Sequence, residues 1–78
     1  MEVYLIPGEL VVMLKRGVAE DSFEQYVLNE GLSIQDHTSS TRVYLVSVPL
    51  GKEVEWQIKF EQHPDVLAVD LNHRVKLH

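Results

Sequence analysis

The residues of this chain that could carry chemistry are its histidines, its serines and one lysine that follows a glycine. No two of the four histidines share a strand face or the helical i, i+4 spacing, which are the arrangements that chelate zinc. We therefore predict that the histidines are solvated or lie in turns and that they form no metal site. The serines lack a glycine-flanked nucleophile elbow, and Gly51-Lys52 lacks the upstream glycine of a phosphate loop. We therefore expect no catalytic set and no cofactor. The residues weighed are His37, His63, His73, His78, Ser33, Ser39, Ser40 and Ser47.

Length and charge narrow the classes of function. A chain of 78 residues forms one domain and buries only about 60% of the surface that its unfolded form exposes. Seven basic and twelve acidic residues give a net charge of −5, the wrong sign for neutralising nucleic-acid phosphates. The chain has no cysteine, which excludes disulfides and thiolate zinc sites. Neither a membrane-spanning run nor a signal peptide is visible, so a secreted form would have its signal outside this sequence.

Turn residues and apolar periodicity divide the chain into six elements. Pro7-Gly8 is interpreted as a turn before the first strand, and Gly31 as the stop of the first helix. The segment 51–62 has apolar residues at every second position, but a helix is predicted, because it places Lys52, Glu55, Lys59 and Gln62 on one polar face. The predicted apolar residues spread over the remainder are Val54, Trp56, Ile58 and Phe60. Gln57 then lies unexplained on its apolar side. The predicted strands span about 9–15, 32–36, 42–48 and 66–71, and the helices about 20–30 and 51–62.

This order predicts an α+β fold, the ferredoxin-like βαββαβ sandwich, with two helices on one face of a four-stranded antiparallel sheet. Residues 1–71 would form the domain, and residues 72–78 an extended C-terminal tail. Three of the four strands are apolar on both sides, so a partner or a second copy is expected to cover the face without helices.

Two polar residues at the end of the last strand have two interpretations. Alternation places Val66, Ala68 and Asp70 on one side of the strand, with Asn72 next in line. These residues either mark where the strand leaves the fold or accept hydrogen bonds from a partner, for example at a helix N-terminus. The tail 74–78 is likewise either a frayed end or a strand added to a partner's groove.

Four short motifs follow one another along the chain. Residues 7–12 read PGELVV, residue 31 is a glycine, residues 48–53 read VPLGKE, and residues 63–70 read HPDVLAVD. Their order and spacing resemble those of subtilisin-type propeptides, the inhibitory prodomains of subtilisin-like serine proteases. In that family the ferredoxin-like sheet packs on two surface helices of the protease, and the tail lies in the active-site cleft like a cleaved product.

The resemblance implies roles for the last residues of the chain. Asp70 matches a carboxylate that caps a protease helix, whereas Asn72 stands where subtilisin's own propeptide has a second carboxylate. His78 would precede the cleaved bond, although histidine is unusual there, and Val75 would fill an apolar pocket. The predicted protease-binding residues are Asp70, Asn72, Arg74, Val75, Lys76, Leu77 and His78.

The leading hypothesis is a non-catalytic prodomain that assists folding of a subtilisin-like protease domain, in cis or in trans, and then inhibits it. The resemblance implies secretion as part of a precursor and a monomer when unbound. The alternative is a free-standing ferredoxin-like module that dimerises through its open sheet face. Nucleic-acid and membrane partners are not expected.

Overall fold

The computed structural model describes residues 2–38 and 40–76, with side chains for residues 8–38 and 40–72. Six elements follow one another in the order βαββαβ. They form a four-stranded sheet of order β2-β3-β1-β4 in which every neighbouring pair is antiparallel. The predicted α+β fold class is thereby confirmed. The elements are β1 (Glu2–Leu14), α1 (Glu20–Asn29), β2 (Ser33–Thr38), β3 (Val43–Ser47), α2 (Glu53–Glu61) and β4 (Val66–Lys76).

Both helices pack on the same face of the sheet. Phe23 and Val27 of α1 and Trp56 and Phe60 of α2 are buried in one cluster with alternate residues of the strands. Alternation puts every second side chain of a strand on one face, so one set of residues fills the core and the next set faces away from it. The strand residues of this core are Leu10, Val12, Leu14, Tyr44, Val46 and Val66.

The structure corrects the predicted apolar face of α2. Trp56 and Phe60 point into the core, whereas Val54 and Ile58 remain 60% and 51% exposed. The rings lie four residues apart and form one stripe, and at 100° per residue Val54 and Ile58 fall roughly opposite to it. Burying the larger aromatic area decides which stripe faces inward. Neither helix of the described ranges is long and apolar enough to cross a membrane.

Strand β1 starts well before the predicted position, because Pro7-Gly8 lies inside it and does not form a turn ahead of it. The register of β1 against β4 shifts between Leu5 and Leu10, and Gly8 sits in this irregularity with a φ of 76°. The backbone carbonyl of Gly8 accepts a 2.8 Å hydrogen bond from the Val48 N–H, and its own N–H donates to Glu53 Oε2 at 3.2 Å. The glycine therefore joins β1 to the entrance of α2.

A second irregularity changes the predicted faces of β4. Val66 pairs with Leu14 and is buried on the helix side, whereas Ala68 pairs with Met13 on the opposite side. The strand shifts register between these pairs and leaves Leu67 60% exposed. The prediction that Val66 shares a side with Ala68 and Asp70 is therefore wrong, because a bulge breaks simple alternation.

The residues that follow Leu71 continue strand β4 as far as the structure describes them. Strand β4 continues through Asn72 to Lys76, and the pairs run from Leu5 with His73 to Glu2 with Lys76. These pairs form a two-stranded ribbon beyond the end of β3, which pairs with β1 only over residues 9–13. Because β1 was predicted to begin at residue 9, no strand was expected to pair with residues 72–76. Leu77 and His78 lie outside the described residues.

Replacing Gly8 by alanine tests the close approach of β1 to residue 48. A Cβ at Gly8 would meet the Val48 carbonyl oxygen at 3.1 Å, whereas a Cβ at Gly31, with a similar φ of 78°, would meet nothing within 4 Å. Gly8→Ala is expected to lower the free energy of unfolding by about 2 to 3 kcal/mol and Gly31→Ala by about 1 kcal/mol. Urea denaturation of both variants measures the difference, and equal losses would contradict the packing argument.

Glu53 should make the stability of the domain depend on pH. Hydrogen bonds from its own backbone N–H and from that of Gly8 lower the pKa of the Glu53 carboxyl below its usual 4.5. The ionised form is therefore favoured by folding, and its stabilisation is present above about pH 4.5 and lost as the pH falls through the lower folded pKa. Glu53→Gln should reduce the free energy of unfolding at neutral pH, and the difference from the parent should shrink towards about pH 3.

The matched control for this experiment is Glu55→Gln. Glu55 lies in the same first helical turn and contacts Lys52 at 3.6 Å, but it does not bond to β1. A pH-dependent loss as large in Glu55→Gln as in Glu53→Gln would assign the effect to the helix dipole and would contradict a specific role of Glu53.

Candidate docking surface

The face of the sheet opposite the helices carries an apolar patch, which we call the open face. It consists of Val11, Met13, Val43, Leu45 and Ala68. Val11 pairs with Leu45, and Met13 pairs with both Val43 and Ala68, so the patch crosses the three strands β3, β1 and β4. Met13 is 37% exposed although it lies on the central part of the sheet. Since both helices pack on the other face, no helix of the described chain covers these side chains.

Polar residues border the open face where β4 leaves it. Asp70 pairs with Val11 and is exposed, and its Oδ1 accepts the Leu71 N–H at 3.1 Å. Asn72 is half-buried and donates from Nδ2 to Glu9 Oε1 at 2.9 Å. Because an ionised carboxylate only accepts, the amide nitrogen must face Glu9, and the amide oxygen remains the acceptor. The structure thus brings together Asp70, Asn72 and one further acidic residue.

Glu9 is the member of this group that the sequence analysis missed. It is 63 positions away from Asn72, and their contact depends on the β1–β4 register after the irregularity at Gly8. No local pattern reveals such a pair. The contact places the Glu9 carboxylate beside Asn72. It therefore supplies a negative charge where the resemblance predicts a second carboxylate that asparagine replaces.

The predicted tail residues 74–76 belong to the paired strand β4. The backbones of Arg74, Val75 and Lys76 pair with the first residues of β1. They are therefore contiguous in β4 with Asp70 and Asn72, and the predicted binding residues up to Lys76 follow one another along an edge strand. The roles predicted for Leu77 and His78 fall outside the described residues.

A second polar cluster lies on the helix side of the sheet. Glu20 and Glu24 of α1 and His37 of β2 hold ligand atoms that all lie within 4.8 Å of one another. The buried Tyr44 pairs with His37 across β2 and β3, and the two rings stack at 4.0 Å with an interplanar angle of 8°. The Tyr44 hydroxyl lies 3.0 Å from Glu24 Oε2 and 3.3 Å from Glu20 Oε2. Burial, and then the hydrogen bond to Glu24, raises the pKa of the Tyr44 hydroxyl, so it stays a donor.

The spacing of the histidines alone does not reveal this second cluster, because the other two ligand groups are glutamates. The i, i+4 spacing of Glu20 and Glu24 on a helix was a visible signal, but their approach to His37 depends on the packing of α1 beside β2. His63, by contrast, has a structural role at the end of α2. Its Nδ1 accepts the Asp65 N–H at 3.1 Å, and its ring lies 4.6 Å from that of Tyr26.

Comparisons with models of known protein families, with curated proteins and with solved structures found no match to this chain. Its function is therefore argued from the residues and their geometry, and the resemblance to subtilisin-type propeptides stays a prediction.

Replacing Asn72 by aspartate tests the contact with Glu9. The substitution removes the amide donor and sets two carboxylates against each other, which should cost about 1 kcal/mol of unfolding free energy at neutral pH. The double variant Glu9→Gln with Asn72→Asp reverses donor and acceptor, and it should recover most of that loss. Urea denaturation of the parent, of the single variants Asn72→Asp and Glu9→Gln, and of the double variant gives the coupling energy between the two residues. Purely additive losses of unfolding free energy would contradict the contact.

Proposed function

We propose that this chain is the prodomain of a subtilisin-like serine protease, which assists the folding of the protease domain and then inhibits it as a product-like competitor. The catalytic serine belongs to the partner in this proposal. The observation that carries it is the open face with acceptor groups at its border. The motifs that resemble the propeptide family supply the identity of the partner, and such a partner is expected in the secretory route.

The open face matches the surface that two adjacent protease helices require. Its side chains are apolar; Val11, Val43 and Leu45 are half-buried and Met13 and Ala68 are exposed, so a partner layer gains further apolar burial. A folding role follows from the same contact, because a surface that binds two helices side by side favours the partner conformations in which those helices are already paired.

The acceptors at the border suit the N-termini of such helices. The first turn of a helix has backbone N–H groups without intrahelical partners and a partial positive charge. Asp70 supplies a carboxylate, Asn72 an amide oxygen, and Glu9 a second carboxylate beside it. The charge that Asn72 lacks relative to the family pattern is thus available from β1, which supports helix capping despite that departure.

The last residues are proposed to enter the protease cleft. In the free chain the backbone of residues 73–76 pairs with β1 on one side, and β4 is an edge strand on the other. The outer edge offers unpaired backbone groups to a substrate-binding strand. A cleft that holds the peptide between two strands requires the short ribbon with Glu2–Leu5 to open first.

An inhibition assay with a subtilisin and a chromogenic peptide substrate tests the proposal. Competitive inhibition is expected, and Met13→Gln should weaken it by about tenfold or more, because an apolar contact is replaced by a polar group. Asp70→Asn should weaken it by about two- to fivefold through loss of the charge at the helix end. Deletion of residues 74–78 should weaken inhibition far more than it changes the fold.

Matched substitutions on the helix side serve as controls. Leu28→Gln, at a residue that is 55% exposed on α1, and Asp21→Asn in the first turn of α1 should leave inhibition unchanged. Undiminished protease activity at high micromolar concentration of the parent chain would sink the proposal. If Met13→Gln and Leu28→Gln weakened inhibition equally, the open face would not be the surface that contacts the protease.

The same open face also supports a second candidate, a module that pairs with another copy of itself. An apolar face without a helix layer is the observation that favours it. Sedimentation distinguishes the two: a stable dimer at low micromolar concentration, lost in Met13→Gln and accompanied by no effect on subtilisins, would establish the module and exclude the prodomain.

A further inference from the structure

The cluster of Glu20, Glu24 and His37 is separate from the open face, because it lies on the helix side of the sheet. Its three ligand groups come from two elements: Glu20 and Glu24 stand one turn apart on α1, and His37 stands on the edge strand β2. Each of the three residues is half-buried, so the groups are accessible to a solute ion yet partly shielded from water.

The contact between His37 and Glu20 is unusual. The Nε2 atom of His37 is shielded from solvent and lies 2.6 Å from Glu20 Oε2, an ion-pair distance, but it makes no hydrogen bond of regular geometry to any described residue. An imidazole nitrogen and a carboxylate oxygen at this separation either share a proton or bind one cation. The Tyr44 hydroxyl has one proton and two carboxylate neighbours, so it can satisfy only one of them at a time.

We propose that Glu20, Glu24 and His37 bind a divalent zinc ion. Zinc combines imidazole nitrogen and carboxylate oxygen at about 2.0 to 2.2 Å, so two of its ligands lie no more than about 4.4 Å apart. Ligand atoms within 4.8 Å of one another reach this geometry by small rotations of the half-exposed glutamates. The ion supplies the positive charge that the two carboxylates and the buried nitrogen need.

The neighbours of the cluster support zinc binding. Tyr44 holds the imidazole plane by stacking and donates to Glu24 Oε2, which is the outer-shell arrangement that orients metal ligands. Three protein ligands leave a fourth position for water. The bound ion would connect α1 to β2, and zinc binding would therefore stabilise the packing of these two elements.

Titration of the tag-free chain with zinc chloride tests the site. Isothermal titration calorimetry should show one equivalent of zinc, and the melting temperature should rise by about 10 to 20 °C when free zinc exceeds the dissociation constant about 100-fold. His37→Gln and Glu24→Gln should each remove this binding. Tyr44→Phe keeps the ring and removes the hydroxyl, and it should weaken binding by about 10- to 100-fold.

His63→Gln and Glu30→Gln are the matched controls, because they remove the same ligand types outside the cluster and should keep full zinc affinity. Circular dichroism verifies that each variant is folded. If His37→Gln does not fold, the zinc affinity of Glu24→Gln tests the site. Absence of zinc binding by the parent chain would overturn the proposal and leave a proton as the shared charge. Equal binding by the parent and both ligand variants would overturn it as well.

Discussion

The pairing of β1 along both of its edges is the constraint on which the rest of the structure depends. This strand bonds to β3 on one side and to β4 on the other, and its alternate side chains contribute Leu10, Val12 and Leu14 to the core. The same alternation forces Val11 and Met13 onto the opposite face. The core and the open face are therefore two sides of one strand, and a sequence change that shifts its register would disrupt both.

Much of the fold could be predicted because its signals are local. The spacing of Phe23, Tyr26 and Val27, three and four residues apart, marked α1, Gly31 marked its end, and β-branched runs marked the strands. The register shifts between β1 and β4 could not be predicted, because the extra residues of β1 between Leu5 and Leu10 and the extra Leu67 of β4 are decided by the partner strand. They explain why the start of β1 and the faces of β4 were predicted incorrectly.

The candidate sites divide in the same way. Asp70 and Asn72 were accessible to sequence reasoning, since they follow one another along a strand. Glu9 and the cluster around His37 were not, because their contacts join residues that are far apart in sequence. The two sites lie on opposite faces of the sheet, so a ligand on the helix side leaves the proposed docking surface open and the two proposals can be tested independently.

The ribbon of β1 and β4 brings the two ends of the sheet's outer strand pair together, with Glu2 paired to Lys76. Anything joined to one end would emerge from the same corner of the molecule as anything joined to the other. Such an arrangement suits insertion of the domain between two segments of a longer polypeptide, because those segments would meet side by side. It also suits circular permutation, in which a short linker joins Glu2 to Lys76 and new ends are opened at an exposed turn such as residues 49–51.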